Sequence, residues 1–151
     1  MILEIKEFNQ LSTLELYEIL KIRSEVFVVE QNCVYNDPDG KDLEATHIMI
    51  KDRKNILAYT RVLKTGVSYK DAPSIGRVLV AQDSRGGGLA RQIVQASIDY
   101  IIDNLKEDKI TIGAQEYLKS FYESLGFVGV SDVYLEDGIP HLDMTYRKKE
   151  I

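Results

Sequence analysis

The stretch DSRGGGLARQIV (83–94) sets three consecutive glycines, Gly86, Gly87 and Gly88, between Arg85 and Arg91. Glycine loses more conformational freedom on folding than any other residue, so a run of three needs a physical reason. One reason is a ligand that must come close to the backbone. The first N–H groups of a helix lack internal partners and favour negative charge, and glycines remove the Cβ atoms that would hold a phosphate away. The alternative is a tight turn that feeds a helix. Other residues also carry chemistry. Tyr122, in SFYESLGF (120–127), is either a proton donor or a core aromatic with a bonded hydroxyl. His47 and His141 are the only histidines, and each is either a base lining a cleft or a structural hydrogen-bonding group. Arg61 and Arg77 interrupt apolar strands, so each needs an internal carboxylate or an anionic ligand group.

The elements that position these residues follow from hydrophobic periodicity. ILEIKEF (2–8) alternates as a strand, and STLE (12–15) is a capping box opening a helix through about Val28, with Leu16, Ile19, Leu20 and Phe27 on one stripe. THIMI (46–50) and ILAYTRVL (56–63) flank KDRKN as an antiparallel hairpin. IGRVLVA (75–81) reads as a strand covered on both faces, ahead of a helix from about Gly88 to Asn104 whose face carries Leu89, Ile93, Ala96 and Tyr100. KITIGA (109–114) is another buried strand, EYLKSFYESLGF (116–127) a short helix stopped by Gly126, and VGVSDVYL (128–135) and PHLDMTYR (140–147) two final strands. The order β–α–β–β–β–α–β–α–β–β predicts a mixed α/β fold with one sheet, in a single domain over residues 1–151.

Composition narrows the function classes. Nineteen Lys+Arg against 24 Asp+Glu give a net charge of −5, which argues against nucleic acid as the main partner. The longest apolar runs are short, so no membrane span is expected, and the N-terminus lacks a signal-peptide pattern. One cysteine, Cys33, allows no intramolecular disulfide, in keeping with a cytoplasmic location. No Lys-Ser or Lys-Thr follows the glycines, so a nucleoside-triphosphate loop is not expected, nor is a metal. A dinucleotide fingerprint fails because Arg91 occupies its last position.

RGGGLA (85–90) does match [Q/R]-x-x-G-x-[G/A], and SFYESLGF matches an aromatic-Tyr-x-x-x-Gly-Phe pattern. Together with the element order, these motifs resemble the GNAT acetyltransferases along essentially the whole chain. RSEVFVVEQNC (23–33), DGKDLEATH (39–47) and YLEDGIPH (134–141) look like the ElaA-like branch.

The resemblance implies the GNAT acyl-CoA N-acyltransferase fold, with a mostly antiparallel sheet splayed at a cofactor cleft and flanked by helices. It implies transfer of an acetyl group from acetyl-CoA to a primary amine, with CoA as product. The backbone of Val78, Leu79 and Val80 would hold the pantetheine arm and polarise the thioester. Arg85, Gly86, Gly87, Gly88, Leu89, Ala90 and Arg91 would cradle the pyrophosphate. Tyr122 aligns with the family's general acid. The sequence departs from the family at Gln115, where many members carry Asn, and at Leu118, where they carry a small Ala; this puts the usual side-chain contact to the cofactor in doubt. Glu30, His47, Arg61 and His141 are the candidates for the acceptor side, as base, ammonium contact or carboxylate clamp. Glu116 is a further acid on that list. Cys33 with no evident His partner favours direct attack in a ternary complex over an acyl-cysteine. The acceptor class, small molecule or peptide, stays open, as does a homodimer. The rival reading is a non-catalytic acyl-CoA-binding regulatory domain.

Overall fold

In the computed structural model, which describes residues 1–149, β1 (Ile2–Glu7) leads to α1 (Thr13–Arg23), then to β2 (Thr46–Asp52), β3 (Asn55–Leu63) and β4 (Ser74–Val80). After α2 (Leu89–Asp103) come β5 (Lys109–Gln115), α3 (Lys119–Ser124), β6 (Val128–Gly129), β7 (Tyr134–Glu136) and β8 (Ile139–Arg147). The capping box forms as expected: Glu15 N–H donates to Ser12 Oγ at 3.0 Å, and Ser12 N–H donates to Glu15 Oε1 at 2.9 Å. The first helix does not stay α to Val28. It widens into a π-helical segment over Ser24–Glu30, which carries the β-branched Val26, Val28 and Val29. β-branched side chains crowd an α-helix, and the extra residue per turn keeps both Val26 and Phe27 buried.

β1 to β4 form an antiparallel sheet in chain order. A second sheet centres on β8, with β5 on one side and β6, then β7, on the other. The expected sheet is therefore split into two hydrogen-bonded halves, and the splay is real. The halves meet where Thr111 N–H donates to the Pro73 carbonyl at 3.0 Å, and among the described residues no ladder joins β4 to β5. A bulge is the local cause. Arg61 faces Gly76 and Tyr59 faces Leu79, so Thr60 opposes both Arg77 and Val78, with Arg77 at φ +50°. Such a bulge bends its strand and increases the twist, which carries β4 away from β5.

Both faces are covered across β2, β3 and β4, as their apolar sequences required, while edge strand β1 stays largely exposed. Ile48, Ile50 and Val62 pack under Ile93, Val94 and Ile98 of α2, in a core that continues to Ile110 and Met144 of the second sheet. Met49, Tyr59 and Leu79 point the other way, onto Ile19, Ile22 and Phe27. The expected strand 128–135 is broken between β6 and β7. There the Ser131 hydroxyl accepts from Asp143 N–H at 2.8 Å, and a side chain replaces the ladder.

Candidate active site

The glycine loop opens α2 without any side-chain cap and without an acidic residue in the first turn. Gly86 and Gly88 take φ of +88° and +84°, where an L side chain is strained. A Cβ placed on Gly86, Gly87 or Gly88 would meet no atom within 4 Å, so the protein's own packing does not exclude side chains here. The amides of Leu89, Ala90 and Arg91 have no intrahelical acceptor. Gln92 N–H, bonded to the Gly88 carbonyl, is the first that does. The loop thus suits a phosphate group. Arg91 donates to Ser124 Oγ at 2.7 Å and ties the loop to α3.

The splay between β4 and β5 opens into a cleft of about 640 Å³, lined among others by Val78, Gln115, Tyr122 and His141. Ala81 N–H donates to the Leu57 carbonyl at 2.8 Å, so by strand alternation Leu79 also faces β3 while the backbone groups of Val78 and Val80 turn away from it. Of the three residues expected to offer backbone to a ligand, Leu79 is spent on the ladder with its side chain buried on the α1 side, and the Val80 carbonyl accepts from Arg85 Nε at 3.1 Å. Tyr122 stands edge-on to Phe121 and Phe127, which fix its ring. It is 5% exposed, and its hydroxyl makes no hydrogen bond among the described residues. Burial, with Tyr117 nearby, pushes that hydroxyl up, so it keeps its proton. Cys33, also in the cleft wall, directs its thiol at the Asp137 carbonyl, 3.5 Å away.

Three candidates for the acceptor side are corrected by the geometry. His47 is fully buried. Its Nε2 donates to the Asp42 carbonyl at 3.0 Å and its Nδ1 accepts from Tyr59 Oη at 2.6 Å; burial holds it neutral and no valence is left for chemistry. Arg61 reaches the cleft wall, but its fork is gripped by Asp39 at 2.7 and 2.6 Å and by Asp42 at 3.0 Å. An acceptor carboxylate would have to displace those partners. Glu30 pairs with the exposed Arg85 at 2.7 and 2.8 Å, at the loop end and outside the cleft lining.

Arg61 belongs to a larger cluster. Arg23, 0% exposed, donates to Asp37 at 2.8 Å and to Asp42 at 2.6 and 3.1 Å. Arg77 donates to Asp37 at 2.8 Å and covers the Tyr35 ring. Burial opposes ionisation of Asp39 and Asp42, but Arg61, joined at Asp42 by Arg23, outweighs it and holds both carboxyls below the usual range. Three guanidiniums and three carboxylates so pin the loop 31–45 as one wall of the cleft.

His141 is the candidate that stays open to chemistry. It is 8% exposed, stacks on Tyr134, and its Nδ1 donates to the Ile139 carbonyl at 2.7 Å. That bond leaves the lone pair on Nε2. Gln115 lies opposite it in the ladder and meets Gln31 at 3.5 Å. Beside His141 stand residues that the pattern reading passed over: Asp143, Tyr69, Tyr134 and Gly113. Two of them had a signal. His141 and Asp143 share one face of an alternating strand, and a glycine inside ITIGA marks a close approach. Tyr69 sits in an irregular loop and had none.

The family model of the acetyltransferase (GNAT) domain matches residues 22–148. Protein ElaA of Escherichia coli (strain K12) is 39% identical over 138 residues, 90% of each chain. The crystal structure of Escherichia coli ElaA superposes with a TM-score of 0.90 at 36% identity, over 97% of this chain and 100% of that one. An acyl-CoA N-acyltransferase from Pseudomonas aeruginosa gives the same TM-score and identity, over 97% and 99%. The glycine loop, the splayed strands and these likenesses agree: the chain belongs to the GNAT acetyltransferase family, as an ElaA-like member.

Proposed function

We propose that this protein transfers the acetyl group of acetyl-CoA to a primary amine by direct attack in a ternary complex. The observation that carries this reading is Tyr122 on the cleft wall: its ring is buried, and its hydroxyl is protonated and makes no hydrogen bond among the described residues. The open glycine loop and the free amides of Leu89, Ala90 and Arg91 fit a pyrophosphate, and the outward backbone of Val78 with the Val80 N–H fits an extended arm. Acetyl-CoA, when bound, supplies the activated thioester.

The chain's own residues divide the remaining work. His141 Nε2 takes a proton from the acceptor's ammonium so that its nitrogen can attack. The Val78 N–H stabilises negative charge on the carbonyl oxygen. Tyr122 Oη gives its proton to the departing thiolate. Gln115 offers an amide toward the cofactor where many relatives of this fold carry Asn.

Thermal unfolding with acetyl-CoA, CoA, ATP and NADH in parallel tests the cofactor. A ligand at about 100 times its dissociation constant adds about 2.7 kcal/mol, so acetyl-CoA and CoA alone should raise the melting temperature. Gly88→Glu should remove that rise by placing a carboxylate among the free amides. A larger shift with a nucleotide would sink the assignment. A shift with acetyl-CoA but no thiol release with any amine would favour the regulatory reading.

A further inference from the structure

We propose that the Asp143 carboxylate, at the β7–β8 end of the cleft, holds one ammonium of a linear diamine while the other amine lies at His141. The acceptor role of that diamine rests on the transferase reading above; the binding site does not.

Four observations carry it. Asp143 Oδ1 accepts from Tyr134 Oη at 2.7 Å and from Tyr69 Oη at 3.2 Å, whereas its Oδ2 has no partner among the described residues. Burial and the Asp143 carboxylate push both tyrosine hydroxyls up, so both remain donors and orient the carboxylate. Gly113 lies directly opposite Asp143 in the ladder. A Cβ there would come within 3.0 Å of Tyr134 Oη and 3.3 Å of Tyr69 Oη, so the absent side chain makes room for the convergence. His141 is more than nine-tenths buried, and its Nε2 reaches the same cleft and makes no hydrogen bond among the described residues; the carboxylate of exposed Glu136 stands 3.5 Å away. Residues 141 and 143 point to the same face of β8, about 7 Å apart along the strand, a span that a short diamine bridges.

The charge balance selects against the other amines. Glu136 and Asp137 line this end beside Asp143. The cations of the cleft wall are Lys41, Arg61 and Arg77. Both guanidiniums are paired with Asp37, Asp39 and Asp42; Lys41, whose ammonium donates to Ser68 Oγ at 2.9 Å, has no carboxylate partner among the described residues and is one charge against three. An amino acid's carboxylate would face three carboxylates with no uncommitted guanidinium. A second ammonium meets an oxygen with a free valence.

Calorimetric titration of the CoA-saturated protein with putrescine, n-butylamine and γ-aminobutyrate tests this, since the three share a four-carbon chain and differ in the distal group. Putrescine should bind about tenfold tighter than n-butylamine, the scale of one charge-assisted hydrogen bond, and γ-aminobutyrate weakest. Asp143→Asn should bring putrescine to the n-butylamine level, and Tyr69→Phe, which removes only a hydroxyl, should do so in part. Equal affinity for putrescine and n-butylamine, a preference for γ-aminobutyrate, or discrimination that survives Asp143→Asn in a folded variant would overturn the site. Thiol release from acetyl-CoA, followed with the same amines, separates the two readings. Discrimination in binding with no thiol release overturns the transferase reading and upholds the diamine site; thiol release without discrimination does the reverse.

Discussion

Two charged clusters flank the same cleft, and they differ in how completely their polar groups are spent. In the Arg23–Arg61–Arg77 cluster the guanidiniums close on Asp37, Asp39 and Asp42, and Arg61 Nε is the one buried side-chain polar atom without a partner among the described residues. At the β7–β8 end Asp143 Oδ2 and His141 Nε2, and on α3 the Tyr122 hydroxyl, make no hydrogen bond among the described residues. A buried group that is fully paired fixes geometry. A group left unpaired at the cleft surface is met by solvent until a ligand replaces it. The first cluster is a buttress, and the second is where a substrate finds partners.

The largest test of that contrast is Arg23→Ala. It removes the fully buried partner of Asp37 and Asp42, leaving Asp37 to Arg77 and Asp42 to Arg61, and removing one partner of a buried pair costs about 3–5 kcal/mol, read from the urea midpoint. A loss near zero would remove the cluster from its structural role. Tyr122→Phe is the converse: it should cost little stability and keep the acetyl-CoA-induced melting shift, while kcat falls roughly 10²–10⁴-fold, the range for a lost general acid. An unchanged kcat would sink Tyr122 as the acid.

Acid separates the clusters less sharply. The Asp39 and Asp42 carboxyls lie below their unfolded values, so their contribution to stability is present above an unfolded pKa of about 3.9 and is lost as pH falls through the folded values. Urea midpoints should hold from neutral pH to about 4 and then decline. A midpoint that rises on acidification would contradict the pairing. The smallest effect is expected for Glu30→Gln. The Arg85–Glu30 pair is exposed, and such pairs contribute about 0–1 kcal/mol, so stability should barely move. Releasing Arg85 should tighten acetyl-CoA binding by a few-fold at most, and a weakened affinity would show that Glu30 positions Arg85 for its ligand.

Much of the frame was legible without coordinates. The capping box, the hairpin, the strand–glycine–helix turn and the short tyrosine helix rest on local periodicity and on glycine and capping chemistry, which act within a few residues. The same logic failed where the outcome depended on neighbours distant in sequence. The helix ending in VFVV widens to a π-helix, and Val26 and Phe27 there pack with Met49 and Tyr59 from strands more than twenty residues away. The strand 128–135 broke because Ser131 found Asp143.

The site divides in the same way. Sequence by itself determined the glycine loop, the place of Tyr122 and the family, because each is a contiguous pattern. Only the tertiary structure decided which polar residues were already spent. His47 and Arg61 looked as available as His141, but Asp42, which consumes both, comes from the loop 31–45 folded across them. Tyr69 and Tyr134 meet at Asp143 from separations of 74 and 9 residues. A residue's type states which bonds it is able to make; only the packed chain determines which of them are already taken.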